Sequence, residues 1–129
     1  MANIINLTPH QIALYSATDC TEVQQGSYKS LVLREGAQAL ATFPSKGVAR
    51  ATATKAVVDQ LEVAGQAVAV NATTYGEPES LPDAVEGTYY IVSALTAQAA
   101  KDRHDLLIVD GTVRDGDGRI CGCTAFGRV

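Results

Sequence analysis

The sequence predicts a single small α+β domain, mostly short strands in an antiparallel or mixed sheet, with one short helix near residues 93–101. Three observations predict it. Short apolar or alternating runs recur along the chain, separated by Gly, Pro and Asp turn signals. Asp117–Gly118 lies between two strand-like runs, the strongest hairpin signal present. Only the segment after Ser93 joins strong helix formers to a capping residue. The 129 residues suit one domain, 1–129, large enough for one ordinary core.

Asn3 to Leu7 is an Ile-rich strand candidate. Pro9 cannot donate to a ladder, so Thr8–Pro9–His10 is expected at a turn, bulge or edge. Gln11 to Ala17 alternates and reads as extended. Residues 18–30 are polar and read as loop. Ser30 to Arg34 reads as a strand, and Ala37 to Phe43 as a strand or short helix. Phe43 to Gly47 is a turn, and Val48 to Thr54 a strand of small side chains. Residues 56–64 divide the evidence: Val57, Val58, Leu61 and Ala64 fit a helix face, while β-branching and Gly65 fit a strand pair. Gln66 to Thr74 alternates as a strand. Tyr75 to Glu86 is loop. Thr88 to Val92 is continuously apolar, as a central strand would be. In the helix that follows, Leu95, Ala99 and Ala100 share a face. Leu106 to Val109 is a buried-type strand, with Asp110–Gly111 expected to turn the chain. Thr112–Arg114 and Arg119–Phe126 flank the Asp117–Gly118 hairpin.

Composition narrows the function. Apolar residues are 47% and aromatics 5%, so the core is built from Ala, Val, Leu and Ile. A net charge of −4 argues against non-specific nucleic-acid binding, which needs a basic face. Four of the six Arg nevertheless fall after residue 102, enough for one small phosphate-bearing ligand. Cys20, Cys121 and Cys123 are an odd set without a disulfide framework, pointing to a reducing compartment. No secretory signal or membrane-length apolar run is visible, so a cytoplasmic location is expected.

Two metal readings fail on spacing. Asp115-Gly-Asp-Gly resembles the middle of a calcium loop, but Val113 and Thr124 occupy positions that need acids. Cys121-Gly-Cys123 is too tight for the usual zinc pair and has no second pair nearby. No metal or cofactor is expected. His10 beside Pro9 suits a base, a ligand donor or a turn-stabilising hydrogen bonder, and taken alone the structural role is favoured. Arg103 and Asp105 share a face of an extended segment, as an ion pair or as one wall of an anion pocket; Arg114 and Asp115 pose the same alternative.

These motifs carry a resemblance. Asn6-Leu-Thr-Pro-His10, Pro44-Ser-x-Gly-x-x-Arg50, Tyr75-Gly, Leu81-Pro, Tyr90-Ile-Val-Ser93, Arg103-x-Asp-Leu106 and Arg114-Asp-x-x-Gly-Arg-Ile-x-Gly-Cys123 together resemble a family of small, uncharacterised proteins of phages, prophages and bacteria. The chain looks longer than that family over about residues 17–43. The resemblance implies no activity by itself. It draws attention to polar motif residues: Asn6, Thr8, His10, Arg50, Ser93, Arg103, Asp105, Arg114 and Asp115. If they converge, a pocket for a small anionic, nucleotide-like ligand is the simplest account.

Three functions follow. The first is a binding protein for such a ligand; with the phage association, it would capture a nucleotide signal of antiviral defence in the host cytoplasm. The second is a metal-independent hydrolase of a nucleotide derivative, with His10 as acid or base and Arg50 or Arg103 stabilising charge. The third is a phage structural or assembly protein, with a large exposed apolar patch and its Arg and Asp residues dispersed. Homo-oligomerisation is compatible with all three.

Overall fold

The computed structural model describes residues 2–129. Ten strands run in chain order: β1 Asn3–Asn6, β2 Ile12–Leu14, β3 Cys20–Gln25, β4 Tyr28–Leu33, β5 Ala41–Phe43, β6 Ala53–Val63, β7 Gln66–Tyr75, β8 Thr88–Ile91, β9 Leu106–Arg114 and β10 Ile120–Gly127. Among the described residues the single α-helix, α1, is Ala94–Ala99. The fold is therefore mostly β rather than α+β, because six helical residues cannot form a layer of their own.

Eight strands form one mixed sheet in the order β1-β8-β9-β10-β2-β5, with the β3–β4 hairpin joined to β9 through β4. β8 pairs in parallel with β1 and β9, while β9 and β10 are antiparallel. β8 is the central apolar strand expected. Its side chains alternate between two clusters. Tyr90 and Val92 pack with Leu7, Ala49, Ala97 and Leu106 beneath the helix. Ile91 packs with Ile12 and Cys123 on the other face, flanked by Phe43 and Phe126.

The two ends of the sheet meet, so it curls nearly into a barrel. Asn6 of β1 forms a parallel bridge to Ser45, just beyond β5, and the Lys46 N–H donates to the Asn6 carbonyl at 2.9 Å. β2 and β10 approach closely. An added Cβ at Gly122 would lie 2.5 Å from the Ala13 carbonyl oxygen and 2.5 Å from the Tyr15 ring.

Several expectations are corrected. The stretch 18–30 is not loop: after a 3-10 turn at Ala17–Asp19 it forms β3 and enters β4. Asp110–Gly111 does not turn the chain. β9 runs through it, and Gly111 takes φ 60° within a ladder that continues from Asp110↔Ala125 to Thr112↔Cys123. The region 56–64 is strand up to Val63, and Val48–Thr54 joins a ladder only from Ala53. The buried face of α1 is Thr96 and Ala97, with Leu95 exposed.

β6 and β7 stand apart. Among the described residues they pair only with each other, as a separate two-stranded sheet. Every residue of β6 is exposed, and within β7 only Val70 and Ala72 are half-buried. The pair is a projecting arm, closed at its tip by Ala64 and Gly65, both at positive φ (52° and 81°) as a tight hairpin turn requires.

Candidate functional site

The Asn6–His10 motif is built as a clasp. Asn6 is 1% exposed. Its Nδ2 donates to the His10 carbonyl at 2.7 Å and to the Phe43 carbonyl at 2.8 Å. Its Oδ1 accepts from the Thr8 N–H at 2.9 Å and the Thr8 hydroxyl at 2.6 Å. Ser45 Oγ donates to the Thr8 carbonyl at 2.6 Å. Asn6 thus uses both donors and both acceptor sites to lock the turn after β1 onto the end of β5. The His10 side chain is exposed and lines a cavity of about 310 Å³ with Ile12, Cys121 and Gly122.

Ser93 caps α1. Its Oγ accepts from the Thr96 N–H at 3.2 Å, and Thr96 Oγ1 donates to the Ala49 carbonyl at 3.2 Å. Arg50 bridges Glu79 through backbone atoms. With Ser93, Pro9 and Leu95 it lines a cavity of about 280 Å³.

Arg103 and Asp105 form a fork-to-fork pair, with Nε to Oδ1 and Nη2 to Oδ2 both at 2.7 Å. Arg103 Nη2 also reaches the Pro82 carbonyl at 3.0 Å. The hydrogen-bonded guanidinium holds the Asp105 carboxyl below its ordinary range against the opposing effect of burial. The same hydrogen bond raises Arg103. The pair borders a cavity of about 420 Å³ beside Thr88 and His104.

Arg114 and Asp115 shape the β9–β10 turn. Arg114 Nη1 donates to the Gly118 carbonyl at 2.8 Å. Asp115 Oδ1 accepts the N–H groups of Asp117 at 2.9 Å and Arg119 at 3.0 Å. Both residues line a cleft of about 700 Å³ between this turn and β4, with Tyr28, Lys29, Ser30 and Ile120.

The nine polar residues therefore do not share one cleft. Arg50 and Ser93 share a cavity, Arg103 and Asp105 a second, Arg114 and Asp115 a third. His10 lines a fourth. Asn6 and Thr8 are spent on the clasp. Lys29 and Tyr28 went unnoticed in the sequence because they lie in the stretch read as loop. Among the described residues no three His, Cys, Asp or Glu side chains gather as metal ligands. Burial pushes all three thiols above their ordinary range, aided by Asp19 at Cys20 and Asp115 at Cys121. Cys123 is buried and Cys121 half-buried, where the β10 register shifts. No described helix is long and apolar enough to cross a membrane.

The arm is the other unusual surface. Val57, Val58, Leu61, Val63 and Val68 are 59, 63, 54, 55 and 46% exposed. Cross-strand register aligns Leu61 with Val68, and Val63 and Val70 extend the same face. No family model, curated protein or solved structure matches the chain, so the clasp, the cleft and the arm are what bear on its function.

Proposed function

We propose that this chain is a self-assembling structural protein whose copies join through the β6–β7 arm. The observation that carries this is the arm's exposed apolar face on a ribbon with no third strand among the described residues. An isolated two-stranded ribbon is marginal in water; three or more strands with an apolar face, or a packed partner, are needed for stability. Contiguous exposed apolar patches mark interaction sites, and open strand edges invite pairing. The polar motif residues support the same reading. Most already satisfy partners inside the fold, as clasp, cap, ion pair or turn.

Sedimentation velocity tests this from about 1 to 100 µM, a range that brackets micromolar association. The native chain is compared with a variant in which residues 57–71 are replaced by Asn-Gly, joining the paired Ala56 and Ala72. Oligomers for the native chain and a folded monomer for the shortened one are expected. A native chain that stays monomeric throughout would overturn the proposal.

A second reading has its own observation. In the 700 Å³ cleft, Arg114 and Lys29 stand with the Tyr28 ring and the Ser30 hydroxyl, a set that suits a small anionic, nucleotide-like ligand. Such a site would serve the capture of a nucleotide signal. Calorimetric titration with ADP-ribose and cyclic nucleotides, repeated with Arg114→Ala, tests it; no heat from the native chain refutes it. The hydrolase reading needs His10 beside Arg50 or Arg103, and these line different cavities.

A further inference from the structure

The register of the arm sorts β6 into two rows, because directly opposed residues share a face. Lys55, Val57, Gln60 and Glu62 lie on the face of Thr73, Asn71, Ala69 and Ala67. Thr54, Ala56, Asp59, Leu61 and Val63 lie on the other. The register shifts between Val57 and Asp59, so Val58 is an extra residue. That shift decides which residues align. In an unbroken strand Lys55 and Glu62 would point to opposite faces; here they share one.

Among the described residues, β6 has a neighbour on one edge only. Two such open edges can pair antiparallel about a two-fold axis perpendicular to the sheet, and opposed residues must then share a face. For a pairing that spans the bulge, this admits only registers in which the shift brings the two rows into phase. One of them is centred between Val58 and Asp59. It sets Lys55 opposite Glu62 of the second copy, Ala56 opposite Leu61, Val57 opposite Gln60, and Thr54 opposite Val63.

We infer that two copies pair along β6 in this register, making a four-stranded antiparallel sheet from two arms. The inference rests on the self-assembly reading and specifies its contact. Charge complementarity selects it: Lys55, the only basic residue of β6, meets Glu62 twice by symmetry. The most exposed large apolar residues of the strand, Val57 and Val58, gather at the axis. The paired edge, Thr54 to Val63, is about 30 Å long at the usual strand rise. Stacking the arms face to face is disfavoured. Asp59 sits within the apolar row, no cation shares that face, and stacking would bury its carboxylate unpaired. Edge pairing leaves it in water.

Sedimentation equilibrium of the full chain tests the register with K55E, E62K and the combined K55E/E62K. All three change exposed side chains, and near-ultraviolet circular dichroism checks that the body is unaltered. Each single change should raise the dimer Kd about tenfold by setting like charges opposite each other twice, and the combination should return it to within about threefold. E62K is the sharper arm of the test, because it reduces the net charge of −4 and would strengthen association if only overall repulsion mattered. A dimer indifferent to the single changes, or not rescued by the combination, overturns this register while leaving self-assembly standing. A monomeric native chain overturns both.

Discussion

Replacing Asn6 by Asp should unfold this protein far more readily than so small a change suggests. The side chain is buried, and its Nδ2 donates to the Phe43 carbonyl and to the His10 carbonyl, which also accepts from the Thr8 hydroxyl at 3.1 Å. A carboxylate there keeps the two bonds from Thr8 but turns an acceptor toward each carbonyl. The Phe43 carbonyl loses this donor, and leaving a buried acceptor unsatisfied costs about 1–3 kcal/mol before repulsion is counted, while the His10 carbonyl keeps the Thr8 hydroxyl. Typical domains have only about 5–15 kcal/mol in total. At a urea dependence of about 1–3 kcal/mol per molar, the midpoint should fall by roughly 0.5–1.5 M at pH 7. The introduced carboxyl should have a raised folded pKa, because protonation restores one donor. Its folded state then binds more protons than its unfolded state. The deficit against the native chain is therefore smallest below the unfolded carboxyl pKa of about 3.9 and grows as pH rises toward the folded value. Urea unfolding of both proteins at pH 3 and pH 7 measures this. A midpoint within about 0.3 M of native at pH 7 would refute the clasp and return Asn6 to candidacy as a ligand contact.

Three further outcomes follow from the geometry. Asp105→Asn should lose about 1–3 kcal/mol at pH 7 by breaking the forked pair with Arg103. Because Asp105 has a depressed folded pKa, its contribution is present above about pH 3.9 and lost as pH falls through the folded value; an equal gap between native and variant at pH 7 and well into acid would contradict this. Gly122→Ala should cost about 1–3 kcal/mol by driving a methyl into the Ala13 carbonyl and Tyr15 ring, with faster hydrogen exchange at the Tyr15 amide, which donates to the Cys123 carbonyl at 2.8 Å. Asp115→Ala should cost about 0.5–2 kcal/mol, from two turn amides that lose their acceptor, and thermal unfolding with no change in midpoint would rule that role out.

Where local chemistry decides an element, the sequence was enough. Asp117–Gly118 turns because it tolerates the backbone a hairpin needs, Gly118 taking φ 85°. Ser93 caps because its oxygen reaches the Thr96 amide. The arm was ambiguous for a physical reason: the bulge at Val58 breaks the alternation of β6 and leaves Val57, Val58 and Leu61 at a spacing that mimics a helix face. β3 was missed because Cys-Thr-Glu-Val-Gln-Gln has almost no apolar side to show, its hairpin being held through β4 to β9. Asp110–Gly111 misled because a turn dipeptide can also sit inside a ladder. For the site, the polar motif residues were found, but a residue bonding backbone carbonyls looks in sequence like one awaiting a ligand. Only the contact between Asn6 and Phe43, thirty-seven residues apart, separates the two.

The pairing of β1 with β8 and of β2 with β10 sets an order of events during synthesis. Asn3 must wait for Thr88, and Leu14, which pairs with Ala41 on one edge, must wait for Cys123 on the other. β6 and β7 need only the two residues at their tip. The arm is therefore a local structure that closes early, while the body is held back by contacts distant along the chain, the kind that folds slowly. A nascent chain would present its arm, marginal until it finds a partner, while β1 and β2 still await β8 and β10. On the self-assembly proposal, neighbouring ribosomes on one message would bring such arms together at high effective concentration, and association through the arm would precede completion of the fold that carries it.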